Sequence, residues 1–431
     1  MRPAVDQDYN EASRMIDFKL NMYFFGTAAP PFEVTRDNVL IDAEILEDVG
    51  LSDDSPLTNI TVNTLSFSLW NMDAMFSPTN SASPFYNRIL QGVVIDAFIC
   101  TLGETEWINL GRFYLADWRV ADNYARIDAL CYDRTYLFVS DPEVPNLRVV
   151  EQNTLAYLQE LMRELPFESQ TLTPTPFLFP LETRRDSLNT LLNAKIFSSN
   201  CRRDGVIEIG RLPFTETYRV ITDNDQIKDI TLPQQFIMQY DDASIQYYRP
   251  ELITGQSIFT MSDIRVLENY TIQDAVFSPS PVRYIESVNL NGRFHPEFVL
   301  NNASAIRFSG QIFNTGDDTI DFNMMGTIVD MPTFEIHGEG RCLKVENEFI
   351  QTALSAAAYR RYLSTYVRTK MQTIELNTRG NPLITLGSTI QVVSERYGLD
   401  FRGIVVINKM RYDGGLSAHL TLLNVLAIGG A

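Results

Sequence analysis

Histidine is the side chain most often used for proton transfer and metal binding near neutral pH, and this chain has three: His295, His337 and His419. None has another histidine, a cysteine or an acid at the spacing of metal ligands, so no metal site is predicted. His419 lies at an outward position of a predicted strand, where an ordinary exposed side chain is expected. The motifs GxxxxGK[ST], GxGxxG and GxSxG do not occur in the sequence. No catalytic residue and no cofactor is therefore predicted.

Carboxylates are abundant, with 54 aspartates and glutamates in the chain. Counting alone leaves a glycosidase-type pair open, but a solvated, electronegative face is the preferred interpretation of the densest acidic segment. The acidic turns at residues 223–225 and 316–318 lack the full ligand series of a calcium loop, so ordinary turns are predicted. The acids of the densest segment are Asp42, Glu44, Glu47, Asp48, Asp53 and Asp54.

The three tryptophans, Trp70, Trp107 and Trp118, all lie in the first third of the chain. Exposed tryptophans would suit sugar binding, and buried ones would be core residues. Their positions in predicted strands favour the core.

Length and charge bound the class of protein. A chain of 431 residues is too long for one core and predicts three or four domains. The net charge of −19 argues against a nucleic-acid coat or a binder of anionic membranes. Residues 1–140 carry a net −11 and residues 336–431 a net +4. This asymmetry is either a source of attraction within an assembly or compositional drift.

Cysteines and apolar stretches argue against two further classes. The four cysteines are scattered, so free thiols are predicted rather than disulfides or a zinc site. Acids interrupt the N-terminus, so no signal peptide is predicted. The longest apolar stretch, Val93–Leu102, is broken by Asp96 and is too short for a bilayer, so no membrane span is predicted.

Residues 1–140 are predicted to be β-structure. Thr64–Leu69 alternates between apolar and polar residues, as a half-buried antiparallel strand does. The loop Phe76–Pro84 has the composition of turns. Further strands are predicted at Val93–Ile99, Gly111–Leu115 and Ala125–Cys131.

A boundary is predicted at Asp141–Pro145, followed by the amphipathic helices Thr154–Glu164 and Arg185–Phe197. The proline-rich connector between them, Pro166–Pro180, is predicted to have no regular structure. Residues 204–209 are predicted to form a turn and a strand, and residues 211–340 mixed β-structure.

The clearest predicted element is the helix Glu346–Lys370, with acids at its start and bases toward its end, as the helix dipole favours. Asp413-Gly414 predicts a type I′ hairpin turn with positive φ at both residues, followed by a strand with Leu416, Ala418, Leu420 and Leu422 facing inward. The other strands predicted here are Thr373–Leu376, Ile384–Leu386, Thr389–Val393 and Val405–Tyr412.

Four sequence passages are informative when they are taken in their order along the chain. They are Val62–Trp70 followed by Ser77-Pro78-Thr79-Asn80; Ile108–Trp118 leading to Ala125–Ala129; Thr183–Ile209, a helix followed by Asp-Gly-x-Ile-x-Ile; and a C-terminal series of helix, Gly-Asn-Pro, Gly-x-x-Ile-x-Val and Asp-Gly-Gly-Leu. Together they resemble the tail-hub family of bacteriophages and related injection machines, including type VI secretion spike hubs. The family commonly has Asp where this chain has Ser388, and residues 211–340 match poorly.

The resemblance implies a β-rich α+β fold of several domains, with two tube-like β-barrel domains at the chain ends. The predicted domains are a first β-barrel hub domain at 1–140, a mixed α/β insertion domain at 141–240, a β-rich domain at 241–335, and a second β-barrel hub domain, preceded by a long helix, at 336–431.

The resemblance also implies a structural, non-enzymatic virion protein, made in the host cytoplasm. Three copies of two barrels would form a pseudo-sixfold ring at the tail tip or baseplate. The implied partners are two further copies of the chain, the tail tube or a distal tail protein ring, a central spike or fibre protein, a tape measure protein, and genomic DNA passing through the channel without specific binding.

Two other readings remain open. The alternative is a receptor- or carbohydrate-binding β protein of the virion periphery. A wall-degrading enzyme is disfavoured, because no region follows the last predicted barrel to hold a lytic domain.

Overall fold

In a computed structural model, the structure describes residues 15–24, 30–52, 55–101, 105–121, 125–139, 154–163, 165–177, 183–214, 218–223, 227–231, 240–265, 270–277, 281–290, 297–300, 305–312, 319–368 and 373–424. These residues form 27 strands and four α-helices, numbered here in chain order.

The first region contains nine strands: β1 (Ile16–Tyr23), β2 (Phe32–Thr35), β3 (Leu40–Asp48), β4 (Leu51–Ser52), β5 (Ser55–Thr58), β6 (Thr64–Trp70), β7 (Val94–Thr101), β8 (Ile108–Ala121) and β9 (Arg126–Tyr132). The helical region follows, with α1 (Thr135–Val139), α2 (Thr154–Met162), β10 (Phe167–Ser169), α3 (Arg184–Lys195), β11 (Ser198–Cys201), β12 (Ile207–Gly210), β13 (Tyr218–Thr222) and β14 (Ile227–Thr231).

The third region contains β15 (Asp242–Tyr248), β16 (Glu251–Arg265), β17 (Tyr270–Phe277), β18 (Val282–Leu290), β19 (Glu297–Leu300), β20 (Ala305–Ile312), β21 (Thr319–Asp330), β22 (Thr333–Ile336) and β23 (Cys342–Glu346). The last region contains α4 (Ala353–Arg368), β24 (Thr373–Thr378), β25 (Thr389–Ser394), β26 (Leu399–Tyr412) and β27 (Leu416–Asn424).

Thirteen strands form one sheet that includes both the first and the last region. Its order is β14-β24-β27-β26-β3-β6-β9-β8-β7-β1-β2, with β25 paired to β26 and β13 to β25. Strand β26 is the branch point, because β27 pairs with one of its edges and two strands share the other. Its residues Leu399–Ile404 pair with β25, and Ile407–Tyr412 pair with β3. The two regions are therefore joined within one chain by strand pairing.

Two hydrophobic cores lie along this sheet. The first is built from β1–β3 and β6–β9 and also receives Tyr412 and Leu416 of the last region. Phe18 of β1 stacks on Tyr412 with ring centroids 5.1 Å apart, so the sheet curls over this core. The second core is built from β13, β14 and β24–β27, with Val49. The β-rich, multi-sheet fold is confirmed, but pairings among the described strands close no barrel, and the two barrels stay a prediction.

The helices enclose smaller cores. Helices α2 and α3 pack with β11 and β12 around Leu158, Leu161, Leu188 and Leu191. Helix α4 packs on the sheet β22-β15-β23. The remaining described strands form the sheets β10-β12-β11, β16-β21-β18, β17-β20-β19 and β4-β5.

Most of the predicted elements are present. Strands β6–β9 cover the four strands predicted in the first region, and α2 and α3 match the two predicted helices. Thr183 caps α3 by accepting a hydrogen bond from Asp186 N at 3.1 Å. Strand β12 follows the predicted turn, and β27 buries its alternate residues from Leu416 onward as predicted.

The predicted helix Glu346–Lys370 begins later than expected, at Ala353, and its described part ends at Arg368. Thr352 Oγ1 accepts a hydrogen bond from Ser355 N at 3.1 Å and caps this start. The preceding residues form a strand and a loop, which Asn347 ties to α3. The acids of that stretch therefore lie outside the helix, and none occupies its first turn.

Two other predictions are wrong. The connector Pro166–Pro180 contains a regular element, β10, which pairs in parallel with β12. Conversely, Ile384–Leu386 contains no strand residue. Ile384 and Leu386 are both buried in the second core, so their apolar spacing reflects burial in a turn region.

The hairpin at Asp413-Gly414 is confirmed, but its turn type is not. Of these two residues only Gly414 has positive φ, at 98°, whereas a type I′ turn needs both. Tyr412 pairs with Leu416, which leaves a three-residue loop.

Strands β13 and β14 come from the stretch predicted to form an insertion with the helices. In the structure they pair with β25 and β24 and extend the sheet of the last region.

Candidate functional site

Charged and polar side chains face each other where the first and last regions join. The antiparallel register of β3 and β26 places Glu44 opposite Arg411 and Glu47 opposite Asn408. Lys409 Nζ also lies 3.0 Å from Glu44 Oε1. Opposite charges facing each other across two strands favour this register over a shifted one.

Arg203, in the turn between β11 and β12, ties the helical region to this joint. Its Nε lies 2.7 Å from Glu47 Oε1 and its Nη2 3.0 Å from Glu47 Oε2. The same guanidinium donates to the carbonyls of Pro382 and Ile384. Asn408 Nδ2 donates to Glu47 Oε2 at 2.7 Å. A planar fork of donors suits this bidentate pairing, and Glu47 is only 5% exposed.

The acidic segment is only in part the solvated face that was predicted, since Asp42 and Glu44 line an open cavity on the sheet surface. Glu47 is buried and paired, and Glu44 is paired with Lys409. Asp48 is half-buried, and burial raises its pKa. Asp53 and Asp54 lie outside the described residues.

A buried carboxyl joins the first region to the helical region at a second point. Asp133 accepts hydrogen bonds from Asn63 N at 3.0 Å and Thr135 N at 2.8 Å. Asn63 Nδ2 in turn donates to Cys201 O at 3.0 Å. Burial raises the pKa of Asp133 to about 7.

A third polar joint fixes α4 on β15. Asp242 is buried and accepts hydrogen bonds from Arg360 Nη2 at 2.6 Å, from Glu339 N at 3.0 Å and from the Ser364 hydroxyl. Burial works against the charged form of Asp242, but these hydrogen bonds hold its pKa well below the usual range.

The histidines and acidic turns considered as possible catalytic or metal-binding groups lie far from one another in sequence, and the described ones have only local partners. His337 is exposed beside Glu335, His419 Nδ1 lies 3.0 Å from Asn377 Oδ1, and His295 lies outside the described residues. Asp223 accepts hydrogen bonds from Ser394 and from Arg396 N, as a turn residue does, and residues 316–318 are not described. Across the described chain, no three His, Cys, Asp or Glu side chains form a group able to hold a metal ion.

The tryptophans divide into two kinds. Trp118 packs on the first core, and its Nε1 donates to Phe76 O at 3.0 Å, as predicted for a core residue. Trp107 is half-buried under Lys19 Nζ, which lies 4.1 Å from its ring centroid. Trp70 is 52% exposed, so the prediction of a core position is wrong there.

Trp70 borders a surface segment of which only Phe76–Pro84 was predicted from the sequence, as turns. This segment, Asn71–Gly92, is named here the first-region loop. Stacked Phe76 and Phe85, with centroids 5.3 Å apart, anchor it to the core. Asp73 and Ala74 both have positive φ, which is strained for residues with a side chain. The two rings fix the loop to the core at Phe76 and Phe85, and the loop exposes Met72, Tyr86 and Leu90.

The outer face of the main sheet is polar with mixed charge. A cavity of about 290 Å³ on this face is lined by acids and bases of β3, β9 and β26 and by serines of β6. Within it Arg126 Nε lies 2.6 Å from Asp128 Oδ1, and Ser68 Oγ donates to Asp128 at 3.0 Å. The charges in this cavity are thus of both signs, and Arg126 and Asp128 are paired with each other.

The fold is that of solved phage tail proteins. A 43 kDa tail protein of prophage MuSo2 from Shewanella oneidensis superposes with a TM-score of 0.55 at 13% identity, covering 96% of this chain and 99% of that one. The tail protein of Neisseria meningitidis MC58 gives a TM-score of 0.50 at 9% identity, covering 94% and 96%. The chain has a phage tail protein fold. The sequence resemblance is thereby confirmed at the level of the fold.

Sequence comparison adds no relative, since no family model and no curated protein matches the chain. Among the described helices, none combines the length and apolar character that crossing a membrane requires.

Proposed function

We propose that this chain is a structural protein of a phage tail and forms a trimeric hub at the tail tip or baseplate. The observation that supports this best is the single sheet shared by the first and last β regions, locked by Arg203 and Glu47. Three chains present six such regions. A threefold ring of this kind would match a sixfold tail tube on one side and a threefold spike or fibre on the other.

The proposed partners follow from this position in the tail. They are two further copies, the tail tube or a distal tail protein ring, a central spike or fibre protein, and a tape measure protein. The polar outer face of the main sheet is the surface proposed to line the channel. The described charges in its cavity are of both signs, so genomic DNA would pass without specific binding.

The first-region loop is the proposed contact with a neighbouring subunit. Tryptophan and methionine are enriched at protein interfaces. Met72 of this loop and the adjacent Trp70 are both exposed. The domain division is proposed as two β regions, a helical region and a third region, with β13 and β14 assigned to the last region.

Mass measurement in solution and imaging of the particle test the hub. Three copies per ring are expected, and one or six copies in the particle would overturn the proposal. The double variant Trp70→Ser, Met72→Ser is expected to fold normally and to lose assembly. Leu155→Ser, which changes an exposed leucine of α2, is the control and should assemble as wild type.

We also propose that the role is not enzymatic. The buried acids Glu47 and Asp242 form ion pairs with arginines at joints between elements. Peptidoglycan clearing by the purified chain, lost on a single carboxylate substitution, would contradict this.

Carbohydrate or receptor binding remains the second candidate, and the exposure of Trp70 is the observation that favours it. In that case the chain would be a monomer, and Trp70→Ser would abolish glycan binding without changing the mass of any assembly.

A further inference from the structure

A cavity of about 570 Å³ lies where the connector after β10, the end of α3 and the start of α4 meet. Phe197 and Phe349 form part of its apolar wall, and Thr171, Thr173 and Thr175 line the connector side. The site is thus a half-open cleft with one apolar side and one row of hydroxyls.

The charge of this cleft has one sign. Lys195 and Arg211 line it, and its described lining contains no carboxylate, although the chain has a net charge of −19. Lys195 Nζ donates to Thr175 Oγ1 at 2.8 Å, a neutral partner. Burial lowers the pKa of Lys195 to about 8. Arg211 makes no ion pair with any described residue, so neither cation has a counter-charge in the part of the chain that the structure describes.

A buried hydroxyl also lacks a partner there. Tyr359 lines the cleft, and its hydroxyl has no hydrogen-bond partner among the described residues. Buried polar groups in folded proteins are normally hydrogen-bonded, so this hydroxyl is an exception, but it is fully buried and is not counted as a contact for an occupant of the cleft.

We propose that this cleft binds an acidic peptide segment of a partner protein, with a carboxylate against Lys195 and Arg211 and an apolar side chain against Phe197 and Phe349. The positive charge of the lining favours an anionic occupant. The apolar wall favours a peptide, which carries apolar side chains, over a free inorganic ion. The connector offers the exposed hydroxyls of Thr171 and Thr173 as hydrogen-bonding groups for a peptide backbone. The site is independent of ring formation and goes beyond the hub role.

The thermal stability of Lys195 variants distinguishes a ligand-binding role of this side chain from a structural one. An ammonium buried without a counter-ion is costly to the fold. If Lys195 serves a ligand, Lys195→Met should keep or raise the melting temperature while it weakens binding, as is common at functional sites. If Lys195 is only structural, the same substitution should lower the melting temperature through the lost bond to Thr175.

The test uses fluorescence anisotropy of a labelled peptide of alternating leucine and glutamate with the full chain. A matched peptide with glutamine in place of glutamate is expected to bind about tenfold more weakly, because a charge-assisted pair is lost. Lys195→Met and Arg211→Gln should each weaken binding of the glutamate peptide several-fold. Arg249→Gln, an exposed arginine paired with Glu251, is the control and should bind as wild type.

Three outcomes would overturn the proposal. They are no binding of the glutamate peptide, equal binding of both peptides, and unchanged binding by Lys195→Met and Arg211→Gln. Displacement of the peptide by inorganic phosphate at equal concentration would also overturn it, because the cleft would then be a site for simple anions.

Discussion

At the residue scale, the buried charges of this chain lie at joints between elements. Glu47 and Arg203 are far apart in the sequence, and their contacts link three regions. Asp242 and Arg360 link two elements, β15 and α4. A buried ion pair adds little net stability relative to a well-packed apolar pair, but it strongly penalises arrangements that leave one partner alone. These pairs therefore specify how the regions fit together.

Removal of Arg203 tests this. Arg203→Met leaves the Glu47 carboxylate buried without its partner, so the free energy of unfolding should fall by about 3–5 kcal/mol. Urea denaturation measures the change. The double variant Arg203→Met, Glu47→Gln should recover part of the loss, because the orphaned charge is gone.

The neighbouring arginine provides the matched control. Arg202 pairs with the exposed acids Asp204 and Glu168. Arg202→Met should therefore cost at most about 1 kcal/mol, as exposed ion pairs do. Equal losses for the two arginines would contradict the assignment of Arg203 as a joint.

Asp133 predicts a pH dependence. An aspartate in an unfolded chain has a pKa of about 3.9, and burial raises the pKa of Asp133 to about 7 in the folded chain. The folded state thus holds this proton more tightly, so the contribution of Asp133 to stability is full below about pH 4 and is lost as pH rises through 7. The advantage of wild type over Asp133→Asn in unfolding free energy should shrink between pH 5 and pH 8. An advantage that is constant or grows with pH would contradict it.

At the element scale, the loop between β26 and β27 depends on one glycine. Gly414 has a φ of 98°, and a Cβ placed there would clash with the Arg36 guanidinium. Gly414→Val should therefore cost at least about 1–2 kcal/mol, from backbone conformation alone. Gly415→Val is the control, since a Cβ at Gly415 meets nothing within 4 Å. Thermal unfolding that ranks the two variants equally would refute this.

The sequence predicted local elements well, because alternation and helical spacing record which face is buried. Strand β6 and helix α3 were both found in this way. The pairing of β3 with β26 was not predictable, because partner strands about 360 residues apart leave no local pattern. For the same reason Glu47 was interpreted as a surface acid, since its partner Arg203 lies in another region.

At the scale of the whole molecule, the charge asymmetry of the chain has a partial internal use. The acidic first region and the basic last region meet within one chain, where Glu44 contacts Lys409 and faces Arg411. The sequence alone suggested that such attraction acts within an assembly, that is, between copies of the chain. Only the charges left outside this joint are available for contacts between copies.

Ionic strength separates the two contributions. If first and last regions of neighbouring copies attract each other, ring assembly should weaken as salt rises, because exposed charges are screened over about 10 Å at 0.1 M. Sedimentation of the assembled chain at increasing NaCl measures this, with unfolding of the monomer in the same buffers as the control for the internal joint. The buried Glu47–Arg203 pair should be screened far less than surface pairs, so the monomer should keep its stability while the ring dissociates. If assembly is unchanged or strengthened by salt, the contacts between copies are apolar, and the exposed Trp70 and Met72 become their main candidates.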